Sequence, residues 1–262
     1  VQVLSIKSYK AKGVFTMENR NFKLDTEWNM IHYPEKPTGF GILIIGDERN
    51  FVDEKTSFWS QNEGKLSLIN SLKKAGYTVF YSNLYGKNWG SSRAVHLAKS
   101  LYEFIIRTEI INQRIHLLAE GMGALVALQL LKEMKGNIRS VVLINPVMSL
   151  RHHLEQEKEH KFFYKKLLKE LSSSYEAESN QIIEIICQTE NDWSSLHSDV
   201  PVKIIHVLSG NRAYKQSNLL KELSVKWRNE DSPITITYLM PEKKVQLGYY
   251  IINFLRAHEE IL

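Results

Sequence analysis

Residues 114–136 read RIHLLAEGMGALVALQLLKEMKG, and this stretch decides the fold. RIHLLAE (114–120) has the length and apolar content of a buried strand, whereas ALVALQLLKEMKG (124–136) has helical length and closes on a glycine. Only Gly121, Met122 and Gly123 separate them, so strand passes into helix through one sharp turn. The same alternation continues in both directions. Upstream, FGILIIG (40–46) and YTVFYSN (77–83) predict strands, with helices over 64–76 and about 93–108. Downstream, SVVLIN (140–145), VKIIHVL (202–208) and ITITYLM (234–240) predict strands, with helices near 215–227 and over 245–260. Short apolar strands separated by amphipathic helices predict an α/β fold, a mostly parallel central sheet with helices on both faces. VQVLSI (1–6) and FKLDTEW (22–28) predict antiparallel strands at one sheet edge.

The alternation breaks between 149 and 198, where the sequence is helical and charged and has no convincing strand. Residues 1–148 and 199–262 are therefore expected to form one core and 149–198 a helical cap inserted over the carboxyl edge of the sheet, where such folds bind ligands. Composition agrees with a folded chain: of 262 residues, 43% are hydrophobic and 24% charged. The single cysteine, Cys187, excludes an intrachain disulfide, and no Cys/His cluster has zinc spacing. No metal and no cofactor are expected, and a reducing, cytoplasmic setting fits best. The longest apolar runs fall well short of the roughly 18 residues of a spanning helix, so no transmembrane segment is expected. Net charge is only +5, with acidic residues interleaved throughout, which argues against nucleic acid as a partner.

Three segments resemble the α/β-hydrolase superfamily over nearly the whole chain: RIHLLAEGMGALVAL (114–128), GYTVFYSNLYGKNWGSS (76–92) and SVVLINPV (140–147). Within it, LINPVMSLRHHLE (143–155), DWSSLHSDVPVKIIHV (192–207) and the pair Leu247-Gly248 look most like acyl thioesterases of the myristoyl-acyl carrier protein type. The resemblance implies a nucleophile at a G-x-S-x-G turn, then an acid, then a histidine, in that chain order. Here the turn reads Ala119-Glu120-Gly121-Met122-Gly123. The acid is due in 209–216 and the histidine in 241–246, yet neither segment contains one, and the three positions read Gly121, Asn211 and Val245.

Without a triad, such a scaffold keeps only about 10³–10⁴ of rate over water. Asp47 and Glu48, where the resemblance implies an oxyanion hole, would oppose a developing oxyanion, whereas the Met122 N–H at the helix start could bind a carbonyl or carboxylate. The leading expectation is thus a degenerate hydrolase, not an enzyme, that binds an acyl chain or other small apolar ligand in a pocket formed by Asp47, Glu120, Gly121, Met122, Trp89 and Phe163. One alternative is a protein-interaction module whose pocket is filled by side chains such as Met122 and Trp89. The other is an active acyl hydrolase with a displaced constellation, drawing on Glu120, on Cys187 with His197, or on Ser91 or Ser92.

Several residues have plainer readings. His116 and His206 lie in predicted strands and are expected to be packed, and His152, His153 and His160 to line a solvated helix face. Cys187 is expected to be a buried small hydrophobe, and Ser91 and Ser92 to cap the following helix. KFFYKKLLKEL (161–171) groups Phe163, Leu167, Leu168 and Leu171, which suits a cap helix over a pocket better than a helix lying on a membrane.

Overall fold

The computed structural model describes residues 3–11, 14–188, 192–193 and 199–259, with side chains described from residue 18 onward except at 210–216. Among the described residues nine strands form one sheet: β1 (Val3–Ala11), β2 (Val14–Leu24), β3 (Glu27–His32), β4 (Gly41–Ile45), β5 (Thr78–Ser82), β6 (Ile115–Glu120), β7 (Ile138–Ile144), β8 (Val202–Val207) and β9 (Ile234–Leu239). Their order is β1-β2-β3-β5-β4-β6-β7-β8-β9. β4 to β9 pair in parallel, and β1, β2 and β3 add an antiparallel edge. FKLDTEW is not one strand: it is the hairpin between β2 and β3, turned by Asp25 at φ 53°. Aspartate tolerates the left-handed region, so the chain reverses there without a glycine to announce it.

β4, β5 and β7 are buried at every position, which is why their sequences carry the apolar runs GILII, VFY and VVLI. Residues of opposite parity enter opposite layers. Leu43 and Ile45 pack with α3 (Ser92–Thr108), α4 (Gly123–Glu133) and α8 (Gly210–Asn229). Ile42 and Ile44 pack with α2 (Glu63–Lys74), α9 (Leu247–Arg256) and Trp59 of α1 (Phe58–Gln61). The last helix is shorter than the sequence suggests, because 241–246 forms a 3₁₀ turn opened by Pro241. Beyond α9 the chain bends back and Glu259 accepts the Tyr77 hydroxyl.

Between β7 and β8 stand α5 (Leu150–Glu157), α6 (Lys161–Tyr175) and α7 (Ile182–Gln188). Leu150, Leu154, Leu167, Leu171, Ile182 and Ile186 pack on Trp89, Met122 and Leu125. The returning chain is pinned by Trp193, which is fully buried and donates its indole N–H to the Ala124 carbonyl at 3.0 Å. Trp193→Phe is expected to cost about 1–3 kcal/mol, read as a lower urea midpoint at unchanged slope.

A buried polar chain joins β3, β5 and α1. His32 Nε2 lies 2.8 Å from the Tyr81 hydroxyl, which lies 2.7 Å from Ser57 Oγ. Burial, reinforced by the charge of Lys73, pushes the His32 imidazole down to about 3. The folded state thus favours neutral His32, whose contribution is complete above the unfolded value of about 6.5 and is lost as pH falls toward 3. His32→Gln is expected to flatten the fall in Tm between pH 6.5 and 4, measured by thermal melts across that range.

Candidate active site

The carboxyl ends of the parallel strands converge on a cavity of about 260 Å³. Asp47 follows β4, Trp89 lies between β5 and α3, Gly121 follows β6, and Asn145 follows β7. His152, His153 and Gln156 enter from α5, and His206 from β8.

Gly121 forms the turn at φ 53°, with its N–H donated to the Ile144 carbonyl at 3.1 Å and its own carbonyl accepting from Val147 at 2.9 Å. Gly123 is required for a different reason, since a Cβ there would stand 2.5 Å from the Ile45 carbonyl oxygen. At Gly121 an added Cβ would lie 2.1 Å from the Asp47 carboxyl carbon. The place a side chain of residue 121 would take is filled by the carboxylate of Asp47.

That carboxylate accepts the Met122 N–H at 3.0 Å, at the positive end of α4. Burial raises its proton affinity above the ordinary aspartate range, against the bonds from Met122 and Glu48 and with help from the charges of Glu120 and Glu48. Glu48 itself is exposed and faces Lys87 at 3.8 Å.

The histidines differ in setting. His206 is fully buried, edge-on to Tyr238. His153 is half-buried and stacks on Trp89 with ring centroids 5.3 Å apart. His152 is exposed, its Nε2 accepting from Gln156 at 2.8 Å. Trp89 is fixed from the other side by α6, donating its indole N–H to Glu170 at 3.1 Å, while its carbonyl accepts the Tyr175 hydroxyl at 3.0 Å. Trp89 (φ 45°) and Asn145 (φ 44°) are both held in the left-handed region. For a tryptophan this is a strained conformation, of the kind that clusters at functional sites.

The structure thus brings Asp47, Trp89 and Gly121 to one cavity. Met122 has its side chain in the apolar layer beneath the inserted helices and offers only its N–H. Glu120 turns to Lys65, at 2.5 Å, and Phe163 stands half exposed against Phe162 and His160. Val245 is 90% exposed on the 3₁₀ turn, and the side chain of Asn211 lies outside the described residues. The leucines and isoleucines of α5 to α7 pack on one another and on Met122, and the cavity is lined by Asp47, Glu48 and three histidines together with Val147, Met148, Val207 and Leu219.

Other sequence readings also change. Cys187 is exposed, and His197 lies outside the described residues. Ser91 occupies the N-cap of α3 without a side-chain capping bond and is buried, out of reach of a substrate. His152 and His160 are exposed, as a solvated helix face implies, but the start of α5 also sets His152 and the half-buried His153 at the cavity. Their place in the first helix after a parallel strand is the signal that could have marked them.

A second grouping of Ser, His and Glu lies at the opposite end of the sheet. Ser140 Oγ is 2.8 Å from His116 Nδ1, and Glu259 Oε1 is 3.5 Å from His116 Nε2. Ser140 and His116 are both fully buried, so this array holds the C-terminal segment onto β6 and β7 and presents no nucleophile.

Among described residues no group of three or more His, Cys, Asp or Glu could hold a metal, and no helix is long and apolar enough to cross a membrane. No family model matches the chain, and no curated protein matches it in sequence. Solved structures do. Est1E from Butyrivibrio proteoclasticus superposes with a TM-score of 0.63 at 10% identity, over 97% of this chain and 98% of its own. An S-formylglutathione hydrolase from Agrobacterium tumefaciens gives 0.65 at 10% identity, over 98% of both chains. A puromycin-hydrolyzing peptidase of Mycobacterium tuberculosis gives 0.67 at 11% identity, over 92% of this chain and 40% of its own. The chain has the α/β-hydrolase fold.

These neighbours overturn the expectation of a non-catalytic acyl binder as the leading reading. Full-length matches to esterases and hydrolases fit better with the alternative, a hydrolase with a displaced constellation.

Proposed function

We propose that the protein is a hydrolase of short acyl esters or thioesters in which Asp47 acts in the space that the fold gives to its nucleophile, with residues 149–198 as the cap over the site. The observation that carries this reading is the Asp47 carboxylate standing where a side chain of residue 121 would be, inside a cavity that three histidines also line.

A general-base role suits Asp47 better than a nucleophilic one. One carboxylate oxygen is engaged by the Met122 N–H, which reduces its nucleophilicity, and the proton affinity raised by burial strengthens it as a base. Asp47 takes a proton from water as the water oxygen bonds to the acyl carbon. The tetrahedral intermediate then expels the alcohol or thiol, which recovers that proton, and the acid is released. Ester and water are consumed, and acid and alcohol are formed. This order answers the electrostatic objection to a carboxylate beside an oxyanion, since Asp47 becomes neutral as negative charge develops on the carbonyl oxygen. His152, His153 and His206 line the same cavity. A volume of about 260 Å³ lies below the usual range of drug-sized sites, which favours a short acyl group.

The test is turnover of p-nitrophenyl esters and acyl thioesters of graded chain length by the purified protein. Hydrolysis that falls with chain length and depends on Asp47 supports the reading. Absence of turnover across both series, or turnover untouched by Asp47→Asn, overturns it.

A further inference from the structure

The outward face of α6 carries an unusual combination. Lys161, Lys165 and Lys169 follow one another at i, i+4 and i+8, and Phe162, at i+1, lies on the same exposed side. Phe162 is 75% and Phe163 49% exposed, their rings meeting edge to face at 5.6 Å to form an apolar tip. The opposite face of the helix, with Leu167 and Leu171, is already buried, so this tip is not part of the core.

The acidic neighbours do not cancel the lysines. Glu170 turns inward to Lys87 and Trp89, Glu155 pairs with Lys158 at 2.7 Å, Glu157 is buried, and Glu159 is itself engaged.

We propose that this face of α6 adsorbs the protein to an anionic lipid surface, with Phe162 and Phe163 entering the headgroup and acyl boundary and the three lysines meeting the anionic headgroups. The charge complementarity is that of a polybasic patch, and the protruding rings supply the apolar insertion that a purely ionic partner would not use. Adsorption here brings the inserted helices, and the cavity beneath them, toward the lipid.

Co-sedimentation with vesicles of phosphatidylcholine alone or mixed with phosphatidylserine tests this without any readout of hydrolysis. Binding is expected only to the mixed vesicles and is expected to weaken at high salt. Lys165→Gln and Lys169→Gln should each reduce it about fivefold, and Phe162→Ser about tenfold. These side chains are exposed, so the variants should melt at the parent temperature. Equal binding to both vesicle types, no binding to either, or variants that bind like the parent would overturn the proposal. Retention on heparin that Phe162→Ser leaves unchanged, without vesicle binding, would assign the face to a soluble polyanion and overturn it equally.

Discussion

Asp47→Asn is expected to lower ester hydrolysis by about 10²–10⁴-fold, the usual worth of a positioned general base. The amide can still accept the Met122 N–H, so geometry is kept while the base is removed. On the proposed mechanism the parent protein should lose kcat/KM on the acid side with a midpoint above the ordinary aspartate range, because burial raises the proton affinity of Asp47. The same shift makes a stability statement of opposite sense. A carboxylate whose folded pKa is raised contributes most when protonated, below its unfolded value, and loses that contribution as pH rises through the folded value. Asp47→Asn should therefore melt higher than the parent at pH 7, with the gap closing as pH falls toward the ordinary aspartate range. A variant that loses activity and gains Tm together carries the mark of a site whose chemistry opposes stability. Loss of both would instead point to a purely structural aspartate.

Gly121→Ser, the substitution that restores the G-x-S-x-G pattern, is expected to destabilise the protein and to create no esterase. A non-glycine residue at φ 53° costs on the order of 1–3 kcal/mol. The new Cβ would also lie 2.1 Å from the Asp47 carboxyl carbon, and forcing extra atoms into such a place costs a further 1–3 kcal/mol or so. The displaced carboxylate should abolish whatever hydrolysis the parent shows. Asp47→Ala combined with Gly121→Ser removes the overlap, so the double variant should be more stable than the sum of the single effects by about 0.5–3 kcal/mol in a denaturant double-mutant cycle. Additive effects would mean that Asp47 does not occupy the place of the missing side chain.

Much of the architecture was legible in the chain because it rests on local periodicity. GILII, the VFY of TVFYS and the VVLI of IRSVVLI are apolar since both sheet faces are covered, and that pattern is written in consecutive residues. The edge was less legible: Asp25 turns the β2–β3 hairpin through a backbone conformation that no glycine advertises. The candidate site was only partly legible. Gly121 could be recognised as the turn without a nucleophile, and its emptiness led to the expectation of a non-catalytic scaffold.

The sequence by itself determined the alternation of strand and helix, the sharp turn at Gly121 and the helical insertion after β7. Only the tertiary structure decided what fills that turn. Asp47 and Met122 are 75 positions apart, and they meet because parallel pairing of β4 with β6 sets the ends of both strands side by side. The same packing carries His152 and His153 from a helix face that reads as solvated to the lining of the cavity. Through-space contacts of this kind leave no periodic trace, since side-chain chemistry at one strand end constrains nothing in its sequence neighbours.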